Sequence, residues 1–110
     1  MSLLFTMIED AERQVRALRE TNLCEPEHIH PLIEWLKERE ENEDLIRSSR
    51  LAEAFCEINP TVCSRSLVYP TRTLRETLEA LSAGKDKSQD VFDFTLNVLS
   101  AWSDIQCAHA

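Results

Sequence analysis

A single glycine, Gly84, is the feature that most restricts the folds open to this chain of 110 residues. Loops that cradle phosphate groups in nucleotide-binding folds need two or three glycines close together, because the backbone must approach the phosphate. Sheets built from many hairpins rely on glycine and proline at their turns, and the chain has only four prolines. The sequence therefore excludes these nucleotide-binding folds and disfavours an all-β sandwich or barrel.

Apolar residues recur with helical spacing in the first half of the chain. Near the N-terminus they alternate between intervals of four and three, which places them on one stripe of a helix. These residues are Leu4, Ile8, Ala11, Val15 and Leu18. A second helix is expected to open at His30 or Pro31. A third is expected to have Asn42 as its N-cap and to end before Asn59-Pro60, because the residue before a proline is pushed away from helical backbone angles. The inward-facing residues of this third helix are expected to be Leu45, Ile46, Ala52, Phe55, Cys56 and Ile58.

The second half of the chain predicts two further helices. Pro70-Thr71 opens a helix that Gly84 closes with a left-handed cap, and Ser88 caps the last helix. The last helix carries a broad apolar face formed by Val91, Phe92, Val98, Leu99, Trp102 and Ile105. Residues 60–69 fit either a short helix or an ordered loop. The sequence therefore predicts one all-α domain over residues 1–110, a small bundle or orthogonal array of four long helices plus a possible short fifth.

An excess of acidic side chains defines the surface chemistry. The chain holds 20 Asp and Glu against 12 Lys and Arg, a net charge of −8. Most of this excess lies in residues 1–44, where twelve acidic side chains stand against five basic ones. Nucleic acids and anionic membranes attract basic surfaces, so the charge disfavours both as partners. We expect the partner to be another protein, which can be a second copy of the chain, and we expect no cofactor.

The four cysteines bear on the cellular compartment. Cys24, Cys56, Cys63 and Cys107 form neither a CxxC pair nor a paired zinc-finger pattern. The opening residues resemble a signal peptide only briefly, because they lack basic side chains and Glu9-Asp10 cuts the apolar stretch short. No apolar run approaches the roughly 20 residues that span a bilayer. We therefore expect a cytoplasmic protein with reduced thiols.

Cys24, His28 and His30 lie within seven residues and are candidate metal ligands. Thiolate and imidazole groups are the preferred ligands of zinc, and a short loop can direct three of them at one ion. A structural site would need a fourth ligand from elsewhere in the chain. The alternative is an ordinary proline-flanked connection between two helices with two surface histidines. The spacing matches no zinc-finger pattern, so the sequence favours the ordinary connection.

An acidic run follows the second predicted helix: Glu38, Glu40, Glu41, Glu43 and Asp44. A calcium-binding EF-hand needs a glycine at the loop turn and alternating oxygen ligands, and the run has neither. One hypothesis is an acidic inhibitor, an immunity-type protein or a DNA mimic that blocks a basic partner and uses long-range attraction to speed association. The simpler interpretation is a solvated surface at a helix junction, which the sequence favours.

Arginines with neighbouring hydroxyl groups form another candidate site, which could hold a phosphate or a carboxylate. The residues concerned are Arg47, Arg50, Ser64, Arg65, Ser66, Tyr69, Arg72 and Arg75. Because 20 acidic side chains are available, we expect these arginines to pair instead with carboxylates of the first and second helices.

Catalysis has little support in the sequence. A nucleophile needs a base within hydrogen-bond reach, and the histidines are only His28, His30 and His109. The chain contains neither the GxSxG pattern of hydrolases nor the HExxH pattern of metalloproteases. We therefore expect no enzymatic activity.

The apolar N-terminal end of the first helix favours association. Leu3 and Phe5 lie beside the helical stripe and widen its apolar surface. Large exposed apolar patches mark interaction sites, although the same residues could equally close the chain's own core. The leading prediction is a small cytosolic protein–protein interaction module, an adaptor or regulatory subunit that can form a homodimer. Its contact residues are expected to be Leu3, Leu4, Phe5, Ile8 and Trp35.

Overall fold

The computed structural model describes residues 3–21, 25–60 and 68–108. Within these ranges the chain forms six α-helices and one short 3-10 turn, Pro26–His28, and no strand. The helices are α1 (Leu3–Thr21), α2 (His30–Arg39), α3 (Glu43–Ser49), α4 (Leu51–Ile58), α5 (Val68–Ser82) and α6 (Gln89–Ala108). The predicted all-α class is therefore confirmed.

The longest helix, α6, packs against α1, α4 and α5 and forms the centre of the core. Its buried residues include four of the predicted apolar face: Phe92, Val98, Leu99 and Trp102. The apolar stripe of α1 faces it, and Ile8, Ala11, Val15 and Leu18 are buried as predicted. Arg19 near the end of α1 lies 3.3 Å from Asp93 near the start of α6, so these two helix ends lie side by side.

The third predicted helix is divided in two, which corrects the prediction of one continuous helix. The chain breaks at Arg50, whose φ is 64°, and α3 and α4 lie on either side of it. Ile46 and Leu51 are five positions apart, so on one continuous helix they would point about 140° away from each other. The break brings both side chains into the core, where their exposed fractions are 1% and 0%.

The division changes which residues of this segment face inward. Ile46 and Phe55 are buried, as predicted. Leu45 is 41% exposed on α3, so the inward orientation predicted for it is wrong. On α4 the other buried positions are Leu51 and Ala54, whereas Ala52, Cys56 and Ile58 are half-buried.

Two side chains of α6 stabilise the break between α3 and α4 by hydrogen bonding. The Ser49 backbone carbonyl accepts a hydrogen bond from Trp102 Nε1 at 2.8 Å and another from Gln106 Nε2 at 2.7 Å. In a continuous helix this carbonyl would accept the amide of the residue four positions later. Trp102 is fully buried, so its indole N–H needs an acceptor within the protein. The side chains of α6 therefore supply donors at the point where the helical ladder is interrupted.

Three predicted helix caps are confirmed. The Asn42 side chain accepts the amide of Leu45 at 3.2 Å, and Ser88 Oγ accepts the amide of Val91 at 3.4 Å. Gly84 has a φ of 72°, in the left-handed region where glycine has no Cβ to clash.

The start of α5 differs slightly from its prediction. The helix begins at Val68, two residues before Pro70. Most of the predicted short helix or loop over 60–69 lies outside the described residues, so its conformation stays a prediction.

The cysteines do not all behave as the sequence suggested. Cys56 is disulfide-bonded, whereas Cys107 is free and exposed. The expectation of reduced thiols is therefore wrong for Cys56, while Cys24 and Cys63 lie outside the described residues. Since disulfides are typical of oxidising compartments, the cysteines no longer support a cytoplasmic location.

Replacing Arg50 with glycine is expected to stabilise the fold. An L-amino acid in the left-handed region costs roughly 1–2 kcal/mol. The substitution also removes the 3.0 Å ion pair between Arg50 and Glu53, which is partly exposed and contributes less than about 1 kcal/mol. We expect urea denaturation to show an unfolding free energy about 0.5–1 kcal/mol above wild type.

The matched control is Arg47→Gly, because Arg47 lies on the exposed side of α3 with ordinary helical backbone angles. Glycine in a helix interior lowers stability by roughly 0.5–1 kcal/mol. If both glycine variants were less stable than wild type, the account of a strained residue at the break would be wrong.

Thr95→Val is also expected to stabilise the protein. Thr95 is fully buried on α6, and within the described residues its Oγ1 has no hydrogen-bond partner. An unsatisfied buried hydroxyl costs roughly 1–3 kcal/mol, and valine keeps nearly the same shape without it. We expect a rise of about 1 kcal/mol in the unfolding free energy. Thr77→Val should show no such rise, because the Thr77 hydroxyl donates to the Thr73 carbonyl at 2.7 Å.

Candidate functional site

The predicted acidic ridge lies on the last turn of α2, the connection that follows it and the first turn of α3. Glu38, Glu41 and Asp44 are exposed there. Glu38 pairs weakly with its neighbour Arg39, at 3.3 Å between Oε2 and Nη1. The backbone of Glu43 begins α3, and its side chain lies outside the description. The structure therefore brings three predicted carboxylates to one outward-facing stretch of chain.

Glu40 behaves differently from the rest of the ridge. Its Oε1 accepts hydrogen bonds from Arg72 Nε at 2.8 Å and Arg75 Nη2 at 3.0 Å, and its side chain is only 13% exposed. Arg75 also binds Glu79 through Nη1 at 2.6 Å. These contacts tie the end of α2 to α5. Glu40 therefore belongs to the packing of the domain and is not part of the outward surface.

The ionisation of this cluster follows from its hydrogen bonds. The bond from Arg75 lowers the pKa of the Glu40 carboxyl, and the bond from Arg72 acts in the same direction, against the opposing effect of burial. The bonds to Glu40 and Glu79 raise the pKa of the Arg75 guanidinium. The cluster is therefore charged on both sides. Within the described residues, the buried Nε of Arg75 has no hydrogen-bond partner.

Most cations of the molecule are engaged in this way. Of the 11 Lys and Arg side chains in the described ranges, eight lie within 4.0 Å of a carboxylate of the same chain. Among the described side chains, no carboxylate lies within this distance of the other three cations, Arg47, Lys85 and Lys87. The predicted pairing of arginines is confirmed for Arg72 and Arg75, whereas Arg50, at the break between α3 and α4, binds Glu53 of α4. Of the other residues proposed for an anion site, Ser64, Arg65 and Ser66 lie outside the described residues.

Leu45, which the sequence places in the core, lies on the surface of this region. It projects from α3 directly after Asp44, with 41% of its surface exposed, on the same stretch as the outward carboxylates. The helical phase offers a signal that could have found it. Ile46 is the residue of α3 that reaches the core, and neighbouring helix positions lie about 100° apart.

The predicted apolar contact surface on α1 is largely part of the core. Ile8 is fully buried, and Leu4 packs against the core. Trp35 also packs there, with its ring centroid 5.9 Å from that of Trp102 and the guanidinium of Arg39 stacked 4.2 Å from its centroid. Of the five predicted residues, Phe5 is half-buried and Leu3 alone is widely exposed, at 75%.

Of the three predicted metal ligands, the structure describes His28 and His30. Cys24 lies outside the described residues. His28 Nε2 lies 2.9 Å from Glu25 Oε2, and the ligand atoms of Glu25, Glu27 and His28 lie within 4.8 Å of one another, all exposed. His30 instead lines an open groove between α2 and α5.

This groove encloses about 440 Å³ and carries charges of both signs. Its lining residues are His30, Ile33, Glu34, Lys37, Glu79 and Ser82. The Ser82 hydroxyl donates to the Glu79 backbone carbonyl at 3.1 Å, so its proton is engaged with the backbone.

Comparison with protein-family models, with curated proteins and with solved structures gives no match. Among the helices in the described ranges, none combines the length and apolar character needed to cross a membrane.

Glu40→Gln is expected to lower the unfolding free energy at neutral pH by roughly 1–3 kcal/mol, because two guanidinium groups would face a neutral amide. Urea denaturation measures this change. The matched control is Glu41→Gln, the next residue along the chain, whose exposed side chain should leave the stability within about 0.5 kcal/mol of wild type.

The same variant tests the direction of the pH dependence. The pKa of Glu40 is lower in the folded protein than its ordinary value of 4.5, so the folded state favours the ionised form. The stabilisation is fully present above the ordinary pKa and is lost as the pH falls through the lowered one. The stability difference between wild type and Glu40→Gln should hold from neutral pH down to about 5 and shrink at lower pH. A difference that stays constant down to pH of about 3 would show that Glu40 does not act through its charge.

Proposed function

We propose that the chain is a small helical protein–protein interaction module, an adaptor or regulatory subunit without catalytic activity, whose partner is a protein with a basic surface. The observation that carries the proposal is the internal pairing of cations. Eight of the 11 described Lys and Arg side chains lie within ion-pair distance of carboxylates of the same chain. Most of the described charged side chains without such a pair are carboxylates, and the unpaired cations among them are Arg47, Lys85 and Lys87.

Long-range electrostatics supports this choice of partner. A net charge of −8 creates a potential that attracts basic proteins and speeds their encounter, and it repels nucleic acids and anionic lipid surfaces. The paired arginines are held at the surface by their own carboxylates, so they offer little attraction to an acidic partner. A basic protein partner is therefore favoured over the other classes.

An inhibitor that occupies a basic site on another protein would be one form of this function. The outward carboxylates of Glu38, Glu41 and Asp44 would provide its contacts. Glu40 would take no part, because Arg72 and Arg75 already bind its carboxylate.

Self-association through α1 is the second candidate. Leu3 is 75% exposed at the start of this helix, and Phe5 beside it is half-buried. Two copies that cover these side chains would remove apolar surface from water. This candidate needs no basic partner, so it can be separated from the first by experiment.

We expect the fluorescently tagged chain to sediment faster in an extract of its source cells than as purified protein. Raising the salt concentration from about 0.05 to 0.5 M should weaken this association at least about tenfold, because contacts between exposed charges are screened. Sedimentation velocity measures both effects, with the purified chain at the same concentration as the control.

Two results would change the assignment. Faster sedimentation of the purified chain, abolished by Leu3→Glu, would establish self-association through α1 in place of a basic partner. Identical sedimentation of the purified chain and the chain in extract, both as a monomer, would count against an interaction module.

A further inference from the structure

We draw no further inference here: the strongest candidate, the exposed side-chain cluster of Glu25, Glu27 and His28 on the 3-10 turn before α2, carries no proposal, because Glu25 and His28 already pair with each other at 2.9 Å and no second observation in the described part of the structure indicates a ligand for it.

Discussion

The fold depends most on one backbone carbonyl, that of Ser49, and on the two donors of α6 that bind it. The break between α3 and α4 leaves this carbonyl without a helical partner, and Trp102 and Gln106 take the place of the missing amide. The indole ring of Trp102 also packs near that of Trp35 on α2. The fully buried Trp102 on α6 thus contacts both the break and α2. Its hydrogen bond to the Ser49 carbonyl fixes the geometry of a core that is otherwise apolar.

The sequence predicts the parts of the fold that depend on local chemistry. Helical stripes and caps such as Asn42, Gly84 and Ser88 are set by neighbouring residues, and the structure confirms them. The break at Arg50 escaped prediction because no glycine or proline marks it, and a left-handed arginine persists only when tertiary contacts impose it. The phase difference between Ile46 and Leu51 was present in the sequence. Ile46 and Leu51 can both be buried only if the helix is interrupted between them, so this difference explains the break.

In the candidate site too, the sequence predicts what neighbouring residues determine and misses what contacts between distant residues determine. The acidic run is plain in the sequence, but Glu40 is separated from Arg72 and Arg75 by 32 and 35 residues. Nothing local distinguishes it from Glu41, and only the packing of α2 on α5 decides which carboxylate turns inward. Ile8 is the opposite case. Its position on the apolar stripe of α1 indicates burial in the core, and its nearness to the exposed Leu3 indicates a contact surface. The structure shows that it is buried.

Core packing and surface chemistry are therefore linked through α3. Residues adjacent on a helix lie about 100° apart, so the rotation that buries Ile46 also directs Leu45 outward. A change at Ser49 or Trp102 would alter the break and the surface together, and its effects on stability and binding could not be separated. Leu45 contributes little to the core, so substitutions there act on the surface alone. The constraint that sets the fold thus also places an apolar side chain among exposed carboxylates.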